Sequence, residues 1–449
     1  VRTTTGKAIE TTQYLIRNAC VSQIINTEPL TSTGEESANA SLLKDLLHGP
    51  GLDLEWIEPV PGRASLVARI EGSDPKAPSL ALFGHTDVVP AAEEGWLHDP
   101  FGGELIGTEI WGRGAVDMLG QTAAMAVAIK ELANRGFRPQ GTLIFAAVPD
   151  EECGGLVGTK LLLDRYPDLV RSDYALTEVG GAIHTRENRG PLIEAYTADK
   201  GLALLKISVR GTPGHTAFPF GSDNALVKAA AVVQRLNDYQ PETRITDAWK
   251  EWVRASELGP ELSSLLVDAD ALWDALPDLD QGLARQAHAC THCTIAPTVL
   301  KGGDKANSIP GSADLLVTVR PMVGERVADI IQDLRNLLAD IVHPDDIQIS
   351  IAFESTSSSI QTPLWETLAR VAGRAHPGAQ LLPSVLAAQT DARWLRPAGT
   401  ITYGFGILDT TITPDEYWGR FHGRNERIDT GSVELSTDAW LDICTDFLG

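Results

Sequence analysis

Read as a pattern of apolar and polar positions, the chain changes grammar twice. In its first two-fifths, residues 65–70, 80–83, 142–148 and 174–177 read as strands, with 80–83 a short apolar run of the kind expected of a buried sheet and 142–148 apolar as well. Between them, residues 121–134 are alanine-rich with helical spacing and stop at Gly136, and a second helix is expected around 158–164. Residues 9–25 form a further amphipathic segment. This alternation predicts an α/β domain with a mixed, mostly parallel sheet. After about Thr197 the pattern differs. Residues 202–209 alternate as a half-buried strand, 223–236 read as a helix, and 239–287 are mainly polar helical segments. Strands at 295–300, 315–319 and 347–353, with a helix at 327–338, complete a smaller α+β domain. The expected organisation is a first domain built from 1–196 and 357–449, with the 197–356 domain inserted into it.

Length agrees with two domains, since 449 residues exceed what one ordinary core serves. The hydrophobic share of 43% and charged share of 22% are those of a folded globular chain. Charge changes the picture more. With 37 basic and 60 acidic residues the formal net charge is −23, a surface that repels phosphate backbones and anionic membranes. Nucleic-acid and membrane partners are therefore not expected. Five sparse cysteines do not make a disulfide framework. Residues 1–7 lack the basic start and apolar run of a signal peptide, so a cytoplasmic location is expected.

Candidate chemistry gathers just past the ends of the predicted strands, where an open α/β sheet presents its ligands. Leu82-Phe83-Gly84-His85-Thr86-Asp87 ends one strand, Pro149-Asp150-Glu151-Glu152 another, and Glu178 a third. Trp111-Gly112-Arg113-Gly114-Ala115-Val116-Asp117 lies between the first two. Taken singly, His85 is an ordinary loop histidine, Asp117 a helix N-cap, and Glu151-Glu152 a solvated first turn. Taken together, carboxylates brought close and dehydrated need a cation to neutralise them. Imidazole plus carboxylate, without a well-placed thiolate, suits zinc, cobalt or manganese. Cys290-Thr291-His292-Cys293 lacks the second ligand pair a structural zinc site needs, and is read as structural or incidental.

Gly84-His85-Thr86-Asp87-Val88-Val89-Pro90, Gly112-Arg113-Gly114-Ala115-Val116-Asp117-Met118 and Asp150-Glu151-Glu152, in this order, resemble the aminoacylase / carboxypeptidase / succinyl-diaminopimelate desuccinylase family of dinuclear zinc metallopeptidases. The resemblance implies a zinc-peptidase-like catalytic domain with an inserted lid and dimerisation domain. It implies two zinc ions per subunit, replaceable by cobalt or manganese. His85 and Glu178 would bind one, Glu152 and His422 the other, and Asp117 both, with a cis peptide after it. Asp87 would orient His85, and Glu151 would be the general base acting on a metal-bridging water. His422 is carried by Gly419-Arg420-Phe421-His422-Gly423-Arg424-Asn425-Glu426-Arg427-Ile428.

In the inserted domain, Gly211-Thr212-Pro213-Gly214-His215-Thr216 resembles the family segment whose histidine reaches the partner subunit's site, so His215 is expected to stabilise the oxyanion of a homodimer. Asn307 and Arg320 resemble its substrate-positioning residues, the arginine gripping a carboxylate. Thr390-Asp391-Ala392-Arg393 resembles a pocket loop, and an ordinary turn explains it nearly as well. The expected activity is hydrolysis of an amide or peptide bond in small N-acyl amino acids or dipeptides with a free carboxylate. The alternatives are a succinyl-diaminopimelate desuccinylase-like deacylase and a catalytically silent dimeric relative.

Overall fold

A computed structural model describes the backbone of residues 2–25, 28–92 and 94–449, and the side chains of 4–23, 34–92 and 94–449. The chain divides into two compact units. The first comprises Val1–Thr197, Ser357–Ser384 and Thr390–Gly449, the second Ala198–Thr356 and Val385–Gln389.

The first unit is built on one large sheet. Its strands run in the order Ile183–His184, Leu192–Asp199, Ile401–Gly404, Tyr174–Thr177, Leu80–His85, Leu143–Val148, Arg63–Ile70 and Asp53–Val60, with two further strands on Leu192–Asp199. The four middle strands, from Ile401–Gly404 to Leu143–Val148, are parallel and the flanks antiparallel. Leu80–His85 and Leu143–Val148 are buried at every position, as the unbroken apolar runs predict. In register His85 pairs with Val148, and Gly404 with Thr177, so the parallel strands end along one edge. The helix Leu119–Asn134 lies against this sheet and against the helices Arg2–Arg17 and Thr430–Leu448. Buried almost all round, it is rich in alanine because small side chains let three neighbours approach at once.

The second unit is a four-stranded antiparallel sheet, ordered Thr294–Gly302, Ser312–Arg320, Leu202–Arg210 and Ile347–Phe353. Alternate residues of the two middle strands (Ala203, Leu205, Ile207, Val209; Ala313, Leu315, Val317, Val319) pack under the helices Ala225–Asn237 and Val327–Leu338. The polar stretch after Tyr239 forms the helices Asp247–Ser256, Pro260–Leu266, Leu272–Ala275 and Gln281–Thr291. It has its own small core, in which Trp249 stacks on Trp252 at 4.8 Å and donates to the Leu266 carbonyl at 2.7 Å.

The amphipathic segment expected over 9–25 is not one helix. Helix Arg2–Arg17 ends at Asn18, Ala19 turns left-handed at φ 49°, and Val21–Ser22 pairs with the Val88 segment instead. Tertiary pairing there overrides an apolar period that continues past Arg17. The strands Asp53–Val60 and Leu192–Asp199 were not expected. The second is buried throughout although it carries Glu194, Thr197 and Asp199, so it lacks the apolar signature of a buried strand. All five cysteines are buried and none is in a disulfide, and Cys290 and Cys293 join no metal-type cluster among the described residues.

Candidate active site

The strand ends position the first group of side chains. His85 is the last residue of Leu80–His85, and Gly84 before it lets helix Leu119–Asn134 come close: a Cβ there would lie 2.6 Å from Thr122 Oγ1. Thr122 Oγ1 in turn donates to the His85 carbonyl at 2.9 Å. The His85 ring is 1% exposed. Its Nδ1 donates to the Asp87 carbonyl oxygen at 2.9 Å, and its Nε2 faces Asp117 Oδ1 at 3.2 Å and Glu178 Oε2 at 3.3 Å.

Asp87 serves two neighbours at once. Its carbonyl holds the His85 ring, and its carboxylate, 3.6 Å from Nδ1, accepts the backbone N–H groups of Glu151 and Glu152, each at 3.1 Å. The ring is thus oriented chiefly by the Asp87 backbone, while its side chain sets the turn that carries Glu151 and Glu152. That turn, Glu151–Cys153, opens after Asp150 in the left-handed region at φ 75°. Asp150 is held by Val157 N–H at 3.0 Å and by the buried Arg63 at 3.1 Å.

Asp117 closes the loop before helix Leu119–Asn134, and its bond to Met118 is cis. Its second oxygen, Oδ2, lies 3.2 Å from His422 Nε2, which also lies 3.2 Å from Glu152 Oε2. Glu178 follows strand Tyr174–Thr177 directly. Five carboxylates (Asp87, Asp117, Glu151, Glu152, Glu178) thus surround two imidazoles. Burial pushes the carboxyls of Asp87 and Glu178 well above their ordinary range and that of Glu151 up to about 8, against the opposing pull of His85 and, at Glu151, of Arg393. Asp117 is buried too, yet the hydrogen bonds from His422 and His85 hold it well below that range. Burial opposes protonation of His85, but Glu178 and Asp117 outweigh it and its pKa is raised.

One imidazole nitrogen carries at most one proton, yet each Nε2 here faces two carboxylate oxygens. A cation between them resolves that arrangement better than any pattern of protons. Glu152 Oε1 is buried with no hydrogen-bond partner among the described residues. Two sets of ligand-type atoms lie within 4.8 Å of one another: His85, Asp117 and Glu152, and His85, Glu151 and Glu178. The residues present therefore fit hard or borderline divalent ions.

Seven of the expected site residues (His85, Asp87, Asp117, Glu151, Glu152, Glu178 and His422) come together in the first unit. His215, Asn307 and Arg320 belong to the second. There His215 pairs with Ser308 across a two-stranded ladder, next to Asn307, and both His215 and Asn307 are exposed. Arg320 ends its strand opposite Thr294. One residue outside the expected set matters: Arg393 is buried, pairs with the Glu151 carboxylate and donates to the Glu151 carbonyl at 3.1 Å. Its signal was the Thr390-Asp391-Ala392-Arg393 segment, which an ordinary turn explained nearly as well.

The "Probable carboxypeptidase S-like 2" of Dictyostelium discoideum is 28% identical over 81% of this chain and 70% of its own length. The N-fatty-acyl-amino acid synthase/hydrolase PM20D1 of Xenopus tropicalis is 24% identical over 92% of this chain and 83% of its own. The crystal structure of the metallo-carboxypeptidase Sso-CP2 from Sulfolobus solfataricus superposes with a TM-score of 0.74 at 16% identity, covering 98% of this chain and 99% of that one, and shares its fold. The family description "Peptidase family M20/M25/M40" matches residues 81–446, a span that takes in every candidate ligand, and the chain belongs to that family of metallopeptidases and amidohydrolases.

Proposed function

We propose that the chain is a dinuclear metal-dependent hydrolase that cleaves an amide or peptide bond in N-acyl amino acids or dipeptides bearing a free carboxylate. The observation that carries this reading is the pair of imidazole nitrogens, each facing two carboxylates, with Glu151 beside them. His85 and Glu178 would hold one ion, Glu152 and His422 the other, and Asp117 both; zinc is the first choice, with cobalt or manganese as substitutes. When bound, such ions acidify a water and polarise a scissile carbonyl. Glu151 takes the proton from the attacking water and returns it to the leaving amide nitrogen. Arg393 holds the Glu151 carboxylate in place for both transfers.

His215 supports the oxyanion. Its Nδ1 accepts Ala217 N–H at 3.0 Å, so the ring carries its proton on Nε2, an outward-facing donor. Exposed as it is, that donor serves a second copy of the chain. A homodimer finds further support in the edge strand Thr294–Gly302, most of it exposed, and in the exposed Leu226, Val227, Val299 and Leu300 of the same unit. Asn307 and Arg320 position the substrate, the guanidinium meeting its carboxylate in fork geometry. The names of the two relatives, a carboxypeptidase and an N-fatty-acyl-amino acid hydrolase, support this substrate class.

The test is hydrolysis by zinc- or cobalt-loaded protein of N-acetyl and longer N-acyl amino acids, dipeptides and N-succinyl-diaminopimelate, read by mass spectrometry. Glu151→Ala and His215→Ala serve as comparison proteins, the first expected to bind metal without turnover and the second to turn over poorly. Cleavage of N-acyl amino acids or dipeptides is the expected result. Cleavage of the succinyl substrate alone would favour a desuccinylase-like deacylase. Two bound ions with no cleavage at all would favour a catalytically silent relative.

A further inference from the structure

The segments that carry Asp117 and His422 are far apart in the chain and are brought together by a small ladder, in which Arg427 pairs with Trp111 and Asp429 with Glu109. The ladder is extended by one bond, Gly112 N–H to the Glu426 carbonyl at 2.9 Å. At its end lies an ion pair with no access to solvent for Glu426: Arg113 Nη1 meets Glu426 Oε2 at 2.5 Å, with the two side chains 4% and 0% exposed. The partners are 313 positions apart in sequence.

Each partner has a second task. Glu426 Oε1 accepts the backbone N–H of Val116 at 2.9 Å and of Asp117 at 3.1 Å. Arg113 Nη2 donates to the His422 carbonyl at 3.2 Å, with its guanidinium over the Trp96 ring at 5.5 Å. His422 needs that support, because its φ of 53° is left-handed, a conformation that side chains other than glycine adopt only when their surroundings hold them there. A buried ion pair is seldom kept for stability alone, since apolar residues of like volume usually serve as well. What this one adds is direction, through three backbone groups fixed on two loops.

We propose that Arg113 and Glu426 are positioning residues that set Asp117 against His422, and so tune how tightly the ion between His422 and Glu152 is held. The inference rests on the two-metal reading of the site. Beyond their own ion pair, Arg113 bonds the His422 carbonyl, whereas Glu426 bonds the amide of Asp117, which faces both imidazoles. The two residues should therefore fail in different ways.

The experiment titrates zinc into metal-free wild type, Arg113→Lys and Glu426→Gln against a chelating dye, with thermal melting of each metal-free protein as a check on folding. Lysine keeps the charge opposite Glu426, but one ammonium lacks the planar fork that also reaches the His422 carbonyl. Arg113→Lys should bind one ion as wild type does and the other about 10- to 100-fold more weakly. Glu426→Gln should weaken both ions. Wild-type affinity for both ions in these variants would overturn the proposal, as would equal weakening of both ions in Arg113→Lys. A wild type that binds no second ion would instead overturn the two-metal reading itself.

Discussion

At the scale of single residues, the chain's motifs name the atoms but not what each atom touches. His85, Glu151, Glu152 and Glu178 are legible because acidic and imidazole side chains at successive strand ends have no cheap structural explanation, whereas Asp117 is read from the glycine-rich loop between them and His422 only from the family resemblance of its motif. Asp87 is legible as a member of the group, yet its division of labour is not. Its carbonyl serves the His85 ring while its carboxylate binds the Glu151 and Glu152 amides. Arg393 is hidden for another reason: nothing in a sequence reveals that a residue 242 positions away meets Glu151. Asp87→Asn exchanges one acceptor oxygen for an N–H₂ that faces an amide donor, so the Glu151–Cys153 turn should loosen. Metal affinity should fall about 10- to 100-fold and activity with it. Activity measured against zinc concentration checks this: recovery at high zinc places the loss in metal binding. Failure to recover would mean that Asp87 acts on Glu151 alone.

At the scale of elements, apolar pattern finds what is uniform and misses what is mixed. Leu80–His85, Leu143–Val148 and Val327–Leu338 follow directly from their periodicity. Leu192–Asp199 does not, because its buried Glu194 is satisfied by the Tyr196 hydroxyl at 2.6 Å and His184 at 2.9 Å, partners no pattern displays. The Cys290–Cys293 segment is a similar case. It belongs to the end of helix Gln281–Thr291, which is closed by a lysine rather than a metal: buried Lys200 Nζ donates to the carbonyls of Ala289 at 2.9 Å and His292 at 2.6 Å. Burial lowers the Lys200 pKa from 10.5 to about 8, against the opposing pull of Cys293, Cys290 and Glu325. Between those values the unfolded chain holds a proton that the folded chain has released, so this group's contribution to stability rises with pH through that window. The slope is about 1.4 kcal/mol per pH unit at most. Lys200→Met removes the titration. Denaturant midpoints of wild type and variant should therefore diverge from pH 8 to 10.5, wild type gaining on Lys200→Met. Parallel curves would show that Lys200 stays protonated in the fold.

At the scale of the whole molecule, charge governs the outcome. A chain of net charge −23 gathers five carboxylates in one site, and its sign was plain from composition while the gathering was not. Without a cation the site is held by shared protons and by arginine. Folded-state pKa values are raised at Asp87, Glu151, Glu178, His85 and His422, and lowered at Asp117. A raised folded value means that the fold keeps a proton the unfolded chain has lost. Its stabilising contribution is complete below the unfolded pKa and disappears as pH rises through the folded one. For Glu151 that window runs from 4.5 to about 8, and Asp117 alone runs the other way. The metal-free protein should therefore lose stability as pH rises from about 5 to 8. Divalent ions bind the deprotonated ligands, so their stabilising effect should grow over the same range. At free zinc 100 times its dissociation constant each ion adds about 2.7 kcal/mol. Melting temperatures taken with zinc and with a chelator should lie close together at pH 5 and separate by several degrees at pH 8. A gap that stays constant with pH would mean that these carboxylates and imidazoles are not the groups that receive the metal.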